Sequence, residues 1–281
     1  MLNEGFFIYN GKFISSDDAI ISPNNRSFRY GDGFFETMLW IKGEINFWEY
    51  HKDRINDSIT ALGFDKANNF STDNLIFLIN KLVHKNKISN AARIRISFFR
   101  GDGGLYDAAN NHIHFIIQCW TIQSTFHLYK VNGLDLGIFT DGIKVSDRFS
   151  RIKSNSALPY VMAAMWAKEN KHNDAILLNQ NGRIADTTIA NVFIVNKKEQ
   201  ILTPALSEGC VNGILRRVII EQSGREVIET EITADDVLYA KELFLTNAIK
   251  GIMWVHTLQD KKYEQKISQD IYHLLHLNKY K

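Results

Sequence analysis

The sequence predicts a mixed α/β (α+β) fold in two domains, and three observations carry that reading. Short alternating or continuous apolar stretches mark strands, and longer stretches with apolar residues at helical spacing mark helices. The two kinds are interspersed without the strict alternation of a doubly wound sheet. Between about Thr121 and Phe126 the pattern lapses into polar residues. That lapse predicts a smaller N-terminal α/β domain over residues 1–119, a linker at 120–123 and a larger domain over 124–281.

In chain order, FFIYNGKFI opens as a hairpin, because Asn10-Gly11 supplies the positive backbone angles of a tight turn. From Glu49 to Phe64, Ile55, Ile59 and Leu62 fall at helical spacing. A second helix follows, capped by Ser71 or Thr72 and lined by Leu75, Ile76, Ile79, Leu82 and Val83. Residues 93–98 and 112–117 read as strands separated by the loop Gly101-Asp102-Gly103-Gly104. Beyond the linker, strands are expected at 134–140, 174–178, 191–195 and 242–246, and helices at 156–170 and 212–223, the latter ending at Gly224.

The composition is that of a globular enzyme: 281 residues, 45% hydrophobic and 23% charged, which excludes disorder and collagen-like structure. A net charge of +2 gives no overall field to hold DNA or an acidic membrane, and no basic run supplies a local one. Cys119 and Cys210 cannot make a disulfide framework or a zinc knuckle and read as buried thiols of a reducing compartment. Glu4 and the break at Asn10-Gly11 leave no signal-peptide core, and no apolar run approaches the roughly 18 residues of a membrane span. The expectation is a soluble, cytoplasmic enzyme with no membrane or nucleic-acid partner. His112 and His114 share a strand face, but no third ligand accompanies them, so no metal is expected.

Four segments stand out: Tyr30-Gly31-Asp32-Gly33-Phe34-Phe35-Glu36-Thr37, Arg151-Ile152-Lys153-Ser154-Asn155, Asn181 to Asn191, and Val211-Asn212-Gly213-Ile214-Leu215-Arg216. Each has an ordinary reading. A glycine turn joins strands, a lysine among cations is solvated, Asp186 sits on a turn, and every helix start has exposed amides. Crowded cations also depress a lysine pKa, which suits a Schiff-base nucleophile, and a helix start suits an anion.

Taken in order, FRYGDGFFETM, HKDRINDSI, IKSNSALPYVMA, GRIADTTIANVFIV, TPALSEGCVNGILRR and ELFLTNAIKGIMWV resemble the class IV aminotransferases. These are the fold-type IV pyridoxal-phosphate enzymes, which include D-amino-acid and branched-chain aminotransferases and aminodeoxychorismate lyase. The resemblance implies a larger domain with a barrel-like sheet core, pyridoxal phosphate in the cleft between domains, and a homodimer whose Arg100–Asp107 loop reaches into the partner's site. It also implies roles. Lys153 matches the lysine that bonds to the cofactor and later moves the substrate proton. Arg54 matches the arginine on the cofactor phosphate, with Ile214, Leu215, Asn247 and Ala248 as further phosphate contacts. Asp186 stands where the family has a glutamate on the pyridine nitrogen, one methylene shorter. Phe35, Arg95 and Arg100 fall at substrate-binding positions. Val211-Asn212-Gly213-Ile214 and Thr246-Asn247-Ala248-Ile249 look most like the lyase. Glu36 resembles the aminotransferases instead, and Leu105 replaces an arginine of the lyase. The resemblance favours a 4-amino-4-deoxychorismate lyase that releases pyruvate and 4-aminobenzoate, with amino transfer from a D- or branched-chain amino acid to a 2-oxo acid as the alternative.

Overall fold

Asn10 and Gly11 take positive φ values of 47° and 84°. That turn lets β1 (Phe6–Tyr9) return directly into β2 (Lys12–Ser15), with Tyr9 opposite Lys12. The computed structural model describes residues 5–18, 21–65, 70–123 and 128–277. Residues 124–126 of the polar lapse lie outside them. Two compact units divide the chain: Met1–Phe126 with Ile152–Ser156, and His127–Arg151 with Ala157–Lys281. A single cut at 120–123 therefore does not describe the chain, because the segment around Lys153 returns to the first unit. Trp120 and Thr121 are still strand.

In the first unit, α1 (Arg26–Tyr30) is capped by the Asn25 side chain and ended by Gly31 at φ 66°. Then come β3 (Gly33–Ile41), β4 (Glu44–Ile45), α2 (Trp48–Ala61), α3 (Asp73–Lys85), β5 (Ala91–Arg100) and β6 (Ile113–Thr121). The strands form one antiparallel sheet in the order β2-β1-β6-β5-β3-β4. Because side chains alternate along a strand, the sheet has two chemically different faces. Phe34, Met38, Ile94, Ile96, Phe98, Phe115 and Ile117 pack with Ile55, Ile59, Leu75, Ile79 and Leu82 of the helices into one core. Phe35, Thr37, Arg93, Arg95, Ser97, Gln118 and Trp120 leave the opposite face. Of the two caps expected for α3, Ser71 acts: its Oγ accepts from the Asp73 amide at 3.2 Å.

The second unit contains β7 (Leu134–Phe139), α4 (Leu158–Glu169), β8 (Asp174–Leu178), β9 (Ile184–Thr187), β10 (Asn191–Val195), β11 (Ile201–Pro204) and α5 (Ile214–Gln222). It continues with β12 (Val227–Thr230), α6 (Ala234–Tyr239), β13 (Glu242–Asn247), β14 (Gly251–Leu258), β15 (Lys261–Lys262) and α7 (Lys266–Leu277). Its sheet runs β12-β11-β10-β13-β14-β7-β8-β9, with β15 on β14. The sheet curls until β9 packs against β10 and β11, giving the barrel-like core. β10 and β13 are buried nearly throughout, which explains their apolar runs, Val192–Val195 and Leu243–Leu245. Among the described residues no helix is long and apolar enough to cross a membrane. Asp186 lies on β9, opposite Leu177, and not on the turn expected for it.

Candidate active site

In the first unit, Lys153 is tied to the start of β3. The Phe35 amide donates to the Lys153 carbonyl at 2.9 Å, and the Asn155 amide donates to the Gly33 carbonyl at 3.0 Å. Gly33 is required there, since a Cβ would lie 2.2 Å from the Phe98 carbonyl oxygen. This pairing sets the Lys153 Nζ 4.5 Å from the centroid of the Phe35 ring. The Arg95 guanidinium carbon lies 3.7 Å from the same centroid. Three residues chosen from sequence thus meet on one ring. Burial and the neighbouring Arg93 charge push Arg95 down to about 10.

Arg54 lies on the helix-covered side of the sheet. Its Nε donates to Glu36 Oε2 at 3.0 Å and its Nη2 to Glu36 Oε1, while His51 Nδ1 stands 3.0 Å from Oε1. Burial raises the Glu36 carboxyl, but Arg54 and His51 outweigh it and hold the group far below the usual carboxylate range. Arg100 is engaged elsewhere: Nη1 with Asp32, Nη2 with the Leu62 carbonyl, and Nε with Asn111 Oδ1 at 2.9 Å. Sequence reasoning missed Arg26. This buried arginine bonds Asp32 at 2.8 Å and the carbonyls of Gly103, Leu105 and Tyr106 at 3.0, 2.6 and 3.0 Å, which fixes the 101–107 loop.

In the second unit the central group is Asp186, which is 2% exposed. Its Oδ2 accepts from the Tyr160 hydroxyl at 2.9 Å and the Val211 amide at 3.2 Å, and lies 3.5 Å from Lys144 Nζ. Among the described residues its Oδ1 has no partner. Burial pushes the carboxyl up, and Lys144, the Val211 amide and Tyr160 pull against that. Lys144 is itself buried and donates to the Ser150 carbonyl at 3.1 Å and to the Gly209 carbonyl. Lys144 and Tyr160 carried no recognisable signal, because they meet Asp186 only through the fold.

Beside Asp186 the strand ends and a helix start gather. The Val211 carbonyl accepts from Asn191 Nδ2 at 2.7 Å, and Asn191 stands opposite Thr246. Gly213 caps α5, and a Cβ on it would lie 1.9 Å from Asn191 Oδ1, so only glycine fits. Ile214 and Leu215 open the helix, where amides have no intrahelical acceptor. Asn247 closes the next turn, with Oδ1 accepting from the Ile249 and Lys250 amides at 2.8 and 3.2 Å. Ala248 lies in that turn. The Thr246 hydroxyl is buried and, among the described residues, has no partner. An anion would find aligned amides, a positive dipole end and an unused hydroxyl here. Among the described residues no cluster suited to a metal occurs.

Comparison with known proteins agrees with this chemistry. The family model for amino-transferase class IV matches residues 33–258. An aminodeoxychorismate lyase from Vibrio harveyi is 27% identical over 233 residues, covering 81% of this chain and 83% of that protein. A putative branched-chain-amino-acid aminotransferase from Methanocaldococcus jannaschii is 28% identical over 260 residues, 92% of this chain and 89% of the other. A crystal structure of the branched-chain aminotransferase from Thermoproteus uzoniensis shares the fold, with a TM-score of 0.86 at 20% identity over 99% of this chain and 96% of that one. The chain belongs to aminotransferase class IV, a family of pyridoxal-phosphate enzymes.

Proposed function

We propose that this enzyme binds pyridoxal phosphate and acts as a 4-amino-4-deoxychorismate lyase, releasing pyruvate and the 4-aminobenzoate used for folate. The observation that carries the cofactor assignment is Asp186, a buried carboxylate pinned through Oδ2 with Oδ1 left empty. The residues fit the group. A protonated pyridine nitrogen is the donor that Oδ1 lacks, and phosphate oxygens are acceptors that the Thr246 hydroxyl lacks and that the first α5 amides, with no intrahelical acceptor, can use.

When bound, the cofactor supplies an electron sink for charge left at the amino-bearing carbon. Lys153, over Phe35, would provide the amine for the cofactor and move the proton at that carbon. Asp186, with Lys144 Nζ 3.5 Å from its Oδ2, would hold the proton on the ring nitrogen. By the family resemblance, Arg54, the Ile214 and Leu215 amides, and Asn247 with Ala248 would hold the phosphate. Arg95 takes a substrate carboxylate in two parallel hydrogen bonds.

The lyase reading is supported by Val211-Asn212-Gly213-Ile214, by Thr246-Asn247-Ala248-Ile249 and by the lyase relative. A second reading, amino transfer from a D- or branched-chain amino acid, is favoured by Glu36, an aminotransferase feature that here is buried against Arg54. The active unit is a cytoplasmic homodimer. The loop fixed by Arg26 supports this, since it leaves Leu105 and Tyr106 68% and 89% exposed for a partner subunit. One holoenzyme preparation, assayed for 4-aminobenzoate release and for amino transfer from D-alanine and L-leucine, tests the choice. Transfer without 4-aminobenzoate removes the lyase.

A further inference from the structure

In the second unit a cleft of about 410 Å³ opens where α4 ends and β8 begins, and none of the residues placed in the active site lines it. Its walls are the last turns of α4, the loop Lys171–Asn173, and Asp174 with Thr188. The loop is firmly held. Gly137, in the middle of β7, has no room for a Cβ, which would lie 2.6 Å from Trp166 and 2.7 Å from His172. A glycine inside a strand weakens it and marks a close approach. Here the approach lets the His172 ring stack on Trp166, with centroids 5.6 Å apart. Asp135 completes the hold, pairing with His172 Nδ1 and accepting from the Thr257 hydroxyl. Among the described residues nothing takes His172 Nε2.

The acceptors around this cleft are spent. At the end of α4 the Trp166 carbonyl accepts from the Asn170 amide at 3.0 Å and from Asn170 Nδ2 at 2.9 Å. The Ala167 carbonyl accepts from the His172 amide at 2.8 Å, and the Lys168 carbonyl from the Lys171 amide at 3.2 Å. Asn173 Oδ1 accepts from the Asp135 amide at 2.7 Å. Asp174 Oδ1 takes the Ala175 amide, the Thr188 amide and the Thr188 hydroxyl at 2.8, 3.2 and 2.6 Å, and Oδ2 takes the Thr187 hydroxyl at 2.8 Å. Burial pushes the nearby Lys250 ammonium down, and Asp174 is the acid that pulls against it. What remains is a set of donors. Among the described residues Lys168 and Lys171 have no acid within ion-pair distance, and Asn173 Nδ2 has no acceptor. Neighbouring Glu169 does not line the cleft.

We infer that this cleft binds a small phosphate monoester, its dianion held by the Lys168 and Lys171 ammoniums and the Asn173 side-chain amide. Lysine serves a phosphate as a point charge, and two ammoniums match two negative charges. As an imidazolium, His172 adds its Nε2–H as a further donor. The volume admits a small organic body beside the phosphate, and Ala164 and Ala167 give that body an apolar wall. The cradle at the start of α5 differs in kind, since it offers backbone amides. This site is independent of which reaction the enzyme performs.

The test uses the holoenzyme, whose cofactor already fills its own phosphate cradle, and two probes of one shape, propyl phosphate and propyl sulfate. At about pH 8 the first is a dianion and the second a monoanion. Calorimetry of the wild-type enzyme is expected to show propyl phosphate binding at least about fivefold more tightly than propyl sulfate. Lys168→Met/Lys171→Met is expected to weaken propyl phosphate about tenfold or more and to bring the two probes level. Both lysines are exposed, so the fold does not depend on them. Lys168→Arg/Lys171→Arg keeps both charges and is expected to keep the preference. No binding to the wild type, or equal binding of the two probes, overturns the proposal. Affinity unchanged in Lys168→Met/Lys171→Met places the anion elsewhere and overturns it equally, as does the same weakening in the arginine pair as in the methionine pair.

Discussion

Tyr160 donates its hydroxyl to Asp186 Oδ2 at 2.9 Å, on a carboxylate whose other oxygen has no partner. The division of labour between the two oxygens follows from the backbone. Asp186 sits on β9, where its side chain has one direction, and Tyr160 on α4, Val211 before α5 and Lys144 after β7 all approach the same oxygen. An aspartate reaches less far than a glutamate, so holding it rigidly matters more.

Asp186→Asn keeps the shape and removes the charge. The cofactor should still bind, while proton abstraction in single turnovers slows sharply. Tyr160→Phe removes only the pin and should slow the same step by about tenfold, the scale of a hydrogen bond to a charged group. Equal rates in wild type and Tyr160→Phe would show that the pin has no part in the chemistry.

Lys144 governs how stability depends on pH. Because burial raises the folded pKa of Asp186, its contribution is full below the ordinary aspartate value and is lost as pH rises through the folded pKa. Lys144 opposes that rise, so Lys144→Met should push the pKa higher and spread the loss upward. Urea unfolding of the apoprotein at about pH 5 and about pH 8 should show the deficit of Lys144→Met growing with pH. A deficit that shrinks with pH would mean that Lys144 does not face a charged Asp186.

Glu36 has the opposite sign. Its folded pKa is depressed, so its contribution is present above the ordinary glutamate value and lost as pH falls. Arg54→Ala strands this buried carboxylate and should cost about 3–5 kcal/mol of stability, on top of any loss of phosphate affinity. The double variant Glu36→Gln/Arg54→Ala should cost much less than the sum of the costs of Glu36→Gln and Arg54→Ala. Additive costs in that cycle would contradict the pair.

Much of the fold was legible because the physics was local. β8 and β10 read out at their observed bounds since continuous apolar residues need burial on both faces, and α2 and α3 read out from single apolar stripes. β9 did not, because Ile184–Thr187 is four residues carrying Asp186 and Thr187, a composition shared with turns. α1 is five residues long and owes its existence to Asn25 and Gly31. β14 and α7 were not picked out although both are long and well formed. Lys153, Phe35 and Arg95 were legible as a set through family resemblance. Lys144 and Tyr160 were not, because each meets Asp186 from a separate segment of the chain. Arg100 also looked different in sequence, where its engagement with Asp32 and the Leu62 carbonyl was invisible.

Gly213→Ala tests the anion cradle. Its φ is ordinary at −68°, so the cost is purely steric: the new Cβ meets Asn191 Oδ1. Either Asn191 leaves the Val211 carbonyl or the helix start withdraws, at about 1–3 kcal/mol of stability. Competition between inorganic phosphate and pyridoxal phosphate should weaken for both ligands in parallel. Loss of stability with phosphate binding intact would place the phosphate elsewhere.

The most direct measurement asks which amine holds the cofactor. The holoenzyme is reduced with borohydride, digested, and mapped by mass spectrometry for the phosphopyridoxyl group. The account predicts a single labelled lysine, Lys153, in the peptide that carries Ser154 and Asn155. Label on Lys144, the buried amine beside Asp186, or on any other lysine, would contradict it.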